Sequence, residues 1–174
     1  MMDLRKIYDP PRFSNDITYG LDDIEWALTN RAVNLSPPYQ RPLRWSLEQQ
    51  SLFMGHLLSG GETLPIIIQR VPDGGPQEVL DGKQRLTAML AWLHGEICAW
   101  VPNGPSVHID DLERGQVGTR SDVILGLSMV IIRFKYINLP FEQRKDFYIR
   151  LNSAGSPHTP EDLEHAHNAK EIVQ

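Results

Sequence analysis

Val79-Leu80-Asp81-Gly82-Lys83-Gln84-Arg85-Leu86 is the stretch on which the reading of this chain turns. Upstream of it, Pro65 to Val71 is rich in isoleucine and reads as a strand, Pro72 to Pro76 as a tight connection, and Gln77 to Leu80 as the returning strand of a hairpin. Downstream, Leu86, Met89, Leu90 and Leu93 recur at helical spacing up to Gly95. The segment therefore falls at a strand-to-helix turn. A glycine there lets the backbone come close to a ligand, and the opening helix offers unpaired N–H groups and a positive dipole end that suit a phosphate. Lys83 and Arg85 would add charge and a planar fork of donors. Asp81 could hold a metal ion, orient a ribose hydroxyl or position an attacking group. The structural alternative is that Asp81 caps the helix and that Lys83 and Arg85 are solvated surface charges.

Two further polar sets surround this one in the sequence. Tyr39-Gln40-Arg41-Pro42-Leu43-Arg44-Trp45 embeds two arginines and a glutamine among prolines and aromatics, a loop that is costly unless its polar groups find partners. Ser46 with Gln49 then forms a capping-box pattern opening a helix that directs Leu52, Phe53, Leu57 and Leu58 to the core, and Gly60-Gly61 ends it. The third set, Arg150-Leu-Asn152-Ser-Ala-Gly155, follows a helix carrying Phe141, Phe147, Tyr148 and Leu151 that begins after Pro140. Asn152, Ser153 and Gly155 could reach a ligand, though an ordinary helix end explains them equally well.

The remaining elements are read from periodicity and punctuation. Leu21, Ile24, Trp26, Ala27 and Leu28 mark a short helix over Gly20–Asn30 with one buried side. Ile97 to Gly126 reads as short strands and loops, Met129 to Ile137 as a strand, and Thr159 as the cap of a last helix with Pro160 and Asp162 in its first turn. No internal repeat or long linker divides the chain, and 174 residues suffice for one domain spanning 1–174.

Composition narrows the function classes. A net charge of -5 disfavours broad, nonspecific coating of nucleic acid while leaving room for a local phosphate site. Cys98 is the single cysteine, so no internal disulfide can form, and a reducing cytoplasm is the expected setting. No apolar run approaches the roughly 20 residues of a membrane span, and no membrane partner is expected. Walker and Rossmann phosphate loops are absent. His165 and His167 stand about 200° apart on an ideal helix, poorly placed for one metal. Of Trp26, Trp45, Trp92 and Trp100, Trp92 reads as core, whereas Trp45, beside Arg41 and Arg44, either walls a nucleotide base or packs on the following helix.

The three polar sets, in their order and spacing from about Asn34 to Glu164, resemble the ParB-like family marked by a D-G-Q-Q-R motif, here Asp81-Gly-Lys-Gln-Arg85. That family supplies domains to modification-dependent restriction proteins and phage-defence proteins within the ParB/sulfiredoxin superfamily. The resemblance implies an α+β fold, a small mixed sheet with surrounding helices, and a nucleoside-triphosphate site. It implies catalytic roles for Asp81, Gln84 and Arg85. Gln40, Arg41, Arg44, Gly82, Lys83 and Asn152 would bind the nucleotide (ATP, GTP or CTP), and Asp81 would hold magnesium. Lys83 replaces the family's usual glutamine and adds a positive charge. Sulfiredoxin's phosphate-loop cysteine has no counterpart, since Lys83-Gln84 stands there, so reductase activity is not expected. The leading expectation is phosphoryl transfer as an NTP hydrolase or kinase linked to DNA modification or phage defence, with DNA, a modified base or a separate effector protein as further partner. The alternative is a non-catalytic module that senses a nucleotide or modified DNA and regulates a partner. Nuclease action ranks last, because Asp81, Asp110, Asp111 and Glu113 are a thin carboxylate set.

Overall fold

The computed structural model describes residues 13–70, 76–101, 104–113, 126–153 and, near the C-terminus, 161, 164, 166, 168 and 169. The segment Ile66-Ile-Ile-Gln69 forms strand β3, and all four of its residues are buried. Ile66 and Ile68 enter one apolar cluster and Ile67 a second. A strand alternates its side chains between two faces, so a continuous apolar run survives only where both faces are covered. β3 is accordingly the middle strand of a five-stranded mixed sheet.

The strands, in chain order, are β1 (Phe13–Gly20), β2 (Val33–Asn34), β3, β4 (Gln77–Asp81) and β7 (Ile131–Ile137), with β5 (Ala99–Trp100) and β6 (Ser106–Val107) forming a separate two-stranded ladder. The sheet order is β1-β7-β3-β4-β2. β3 runs antiparallel to β4 and parallel to β7, with Ile66 opposite Phe134. Helices α1 (Ile24–Asn30), α2 (Leu47–Leu58) and α3 (Lys83–Leu93) contribute Ile24, Leu57, Leu86 and Trp92 to the core on one face. On the other face, α5 (Phe141–Ser153) packs Tyr148 against Tyr39, Ile67 and Leu80. A short helix α4 (Ile109–Glu113) follows β6. The α+β class and mixed sheet expected from the sequence are what the structure has.

The capping box is present as read: Ser46 Oγ accepts from the Gln49 N–H at 3.2 Å, and Gln49 Oε1 accepts from the Ser46 N–H at 2.9 Å. Trp92 is fully buried, its indole N–H donating to the Val107 carbonyl at 3.0 Å. Three expectations need correction. Trp26 is 59% exposed and Leu52 50% exposed. The buried stripe of the first helical segment is Leu21, Ile24, Ala27 and Leu28, and Trp26 lies about 200° from Ile24 on an ideal helix. In α2, Met54 and Gly55 occupy the core-facing positions, with Gly55 pressed against the backbone of Trp100. Strand β1 was not anticipated, although Ile17-Thr18-Tyr19 alternates apolar and polar; as an edge strand it leaves Asp16 and Thr18 in solvent and buries Tyr19. The connection at 71–75, the proposed Thr159 cap, and His165 and His167 lie outside the described residues.

Candidate functional site

Gly82 opens α3 with φ +100°, a left-handed conformation natural only to glycine. A Cβ at this position would also collide with Ile66 Cδ1 and come within 3.3 Å of Ile66 Cγ2. The close approach drops β4 directly into α3 without a loop. No side chain caps the first turn of the helix. Asp81 is therefore the last residue of β4 and not a helix cap.

Around this turn lies a cleft of about 520 Å³. Gln40, Arg41, Asp81, Gly82, Lys83, Gln84 and Arg85 all line it, so two parts of the chain some forty residues apart in sequence are brought to one place. Of the nine residues expected at the site, one stands apart. Arg44 is exposed and does not line the cleft. Asn152 lies in the last turn of α5, next to Leu151, which does line it.

The side chains of the motif hold the cleft walls. Arg85 Nη2 donates to Asp81 Oδ2 at 2.6 Å and to the Pro65 carbonyl at 3.4 Å. Its Nη1 donates to Thr63 Oγ1 at 3.2 Å and to the Leu64 carbonyl. Arg85 thus ties the connection between α2 and β3 to the start of α3. Burial lowers the pKa of this guanidinium and the Asp81 carboxylate opposes that shift; an arginine side chain stays protonated in proteins.

The opposite wall is held by the two residues before it. Gln84 Oε1 accepts from the N–H groups of Arg44 at 3.1 Å and Trp45 at 3.2 Å, while Lys83 Nζ donates to the Arg41 carbonyl at 3.1 Å. Gln40, itself buried, donates from Nε2 to the Val79 carbonyl. The proline-bounded 39–45 loop thereby finds the partners its polar groups require. Lys83 and Arg85 are not the solvated surface charges of the structural alternative, and partial burial holds the Lys83 ammonium below the ordinary lysine pKa.

Behind the loop, Tyr39 is buried and its hydroxyl donates to Glu78 Oε2 at 2.9 Å, with Arg144 Nη1 3.3 Å from the same oxygen. Burial first, then the Glu78 carboxylate, raises the pKa of that hydroxyl, so it remains a donor. Tyr148 Oη accepts from the Arg41 N–H at 3.2 Å and joins the cleft lining. The sequence reading took Tyr148 and Phe53 only as core, and it passed over His56 on α2 and Glu62 and Thr63 just after the Gly60-Gly61 turn, all of which line the cleft. Polar residues directly after a helix-ending glycine pair were the available signal. Among the described residues no group of three or more His, Cys, Asp or Glu side chains is arranged to hold a metal ion, and no helix is long and apolar enough to cross a membrane.

A mixed sheet covered on both faces, with a cleft at a strand-to-helix turn, makes this a small α+β fold. The model of one family, the GmrSD restriction endonuclease N-terminal domain, matches residues 24–122. That is more than half of the chain, and the chain belongs to this family of restriction-related domains. The matched stretch contains every cleft-lining residue from Gln40 to Arg85. No curated protein and no solved structure matches the chain.

Proposed function

We propose that the cleft binds a nucleoside triphosphate and supports phosphoryl transfer in a restriction or phage-defence setting. The observation that carries this reading is the convergence of Lys83, Arg41 and the uncapped start of α3 on one cavity of nucleotide size. Transfer of a phosphoryl group needs mainly positioning and compensation of negative charge, which a helix N-terminus with flanking cations supplies. Magnesium would enter on the phosphates with Asp81 as its protein ligand, since this ion commonly keeps water and one or two carboxylates. The ParB/sulfiredoxin resemblance supports the same arrangement, with Asp81, Gln84 and Arg85 nearest the chemistry.

A second reading is favoured by one feature of the geometry. Asp81 is engaged by Arg85, and Gln84 by the backbone of Arg44 and Trp45, which suits a module that binds nucleotide or modified DNA and signals to a separate effector without turnover. The family's restriction context supports DNA as the macromolecular partner in either case.

The two readings separate in one experiment. Phosphate release from ATP, GTP and CTP with magnesium is followed for wild type and Asp81→Asn, the variant chosen because an amide oxygen still accepts from Arg85. Turnover that falls at least 100-fold in the variant, with the melting temperature kept, supports catalysis. Binding by calorimetry without turnover supports the sensor. No binding of any nucleotide overturns catalysis and the nucleotide sensor, and leaves only the modified-DNA module.

A further inference from the structure

We infer that the aromatic ring of Trp45 is the base-stacking wall of this cleft, so that the ligand is recognised through a planar heteroaromatic ring as well as through its phosphates. The inference rests on the nucleotide reading above and adds to it which part of the site takes the base. Trp45 lines the cleft and is half-buried, so ring surface remains toward the cavity. Phe53 of α2 backs it, the ring centroids 5.2 Å apart and tilted by 59°.

The ring is also held from its own backbone. The Trp45 N–H donates to Gln84 Oε1 at 3.2 Å, and its carbonyl accepts from Gln50 Nε2 at 3.3 Å. A rigid aromatic ring loses little freedom on binding, which is what makes stacking platforms efficient. Gln84, which fixes Trp45, directly follows Lys83, which bonds the carbonyl of Arg41. The aromatic surface and the cationic surface thus meet at one helix turn, as a ligand with a flat ring at one end and phosphates at the other requires. Every base has a π-face, so such a wall tolerates all four bases.

Calorimetry with ATP and with inorganic tripolyphosphate, each with magnesium, tests this on wild type, Trp45→Phe and Trp45→Leu. Wild type is expected to bind ATP at least tenfold tighter than tripolyphosphate; Trp45→Leu should lose that margin while its tripolyphosphate affinity stays within twofold, and Trp45→Phe should keep most of it. The wild-type comparison is decisive even if Trp45→Leu fails to fold. Equal affinity of wild type for the two ligands overturns the stacking wall and leaves the phosphate site standing, as does an equal loss of both ligands in a folded Trp45→Leu. If wild type binds neither ligand, the nucleotide reading itself falls and this inference with it.

Discussion

Replacing Gly82 by alanine tests the junction on which the cleft is built, and Gly60 supplies its control. Both glycines have positive φ, +84° at Gly60 and +100° at Gly82. A Cβ at Gly60 would meet nothing within 4 Å, whereas at Gly82 it would run into the fully buried Ile66. Gly60→Ala should cost the left-handed penalty of roughly 1–2 kcal/mol, reduced somewhat by the stiffer unfolded chain. Gly82→Ala carries the same penalty plus an overpacking term of about 1–3 kcal/mol, because Ile66 sits in the middle strand and has little room to move. The expected totals are about 1 kcal/mol for Gly60→Ala and about 2–4 kcal/mol for Gly82→Ala. A domain with total stability of about 5–15 kcal/mol survives either change. Urea unfolding of both variants gives the difference as a shift in midpoint at constant slope. If Gly82→Ala is no less stable than Gly60→Ala, the close approach of backbone to Ile66 does not constrain the site and the account of this junction fails.

Two further outcomes follow from the clamps. Tripolyphosphate affinity should fall as pH rises from 7 toward 10, because only the protonated Lys83 attracts an anion and partial burial places its deprotonation below the ordinary value of 10.5. Lys83→Gln should bind more weakly at pH 7 and show no such fall, and equal pH profiles in the two proteins would remove Lys83 from the binding surface. Gln84→Leu leaves the exposed N–H of Arg44 and the part-buried N–H of Trp45 without their side-chain acceptor, at a cost of about 0.5–1.5 kcal/mol each at most. Trypsin should then cleave after Arg44 several-fold faster, and an unchanged rate would mean that something other than Gln84 holds the loop.

Local chemistry made much of this protein legible before its coordinates. The isoleucine run, the glycine at the turn and the Leu86-Met89 repeat define strand, junction and helix, because backbone sterics and apolar periodicity act within a few residues. The capping box at Ser46 is equally local. β1 was missed even though Ile17-Thr18-Tyr19 favours a strand: the signal is short, and its place is set by pairing with β7, Asp16 opposite Lys135, more than a hundred residues away.

The sequence by itself determined that Gln40, Arg41 and the Asp81–Arg85 segment are polar groups in search of partners, since a proline-bounded loop and a glycine junction leave them few local ones. Only the tertiary structure decided which partners they take. Arg85 turns to the Thr63 hydroxyl and the Leu64 and Pro65 carbonyls, Gln84 to the amides of Arg44 and Trp45, and Lys83 to the Arg41 carbonyl, and these bonds enclose the cleft. Tyr148 and His56 enter the same cavity for a reason no window of sequence contains: the sheet order brings α2 and α5 to the ends of β3 and β4. Bond-forming capacity belongs to each residue, while direction and neighbours are set by packing across the whole sheet.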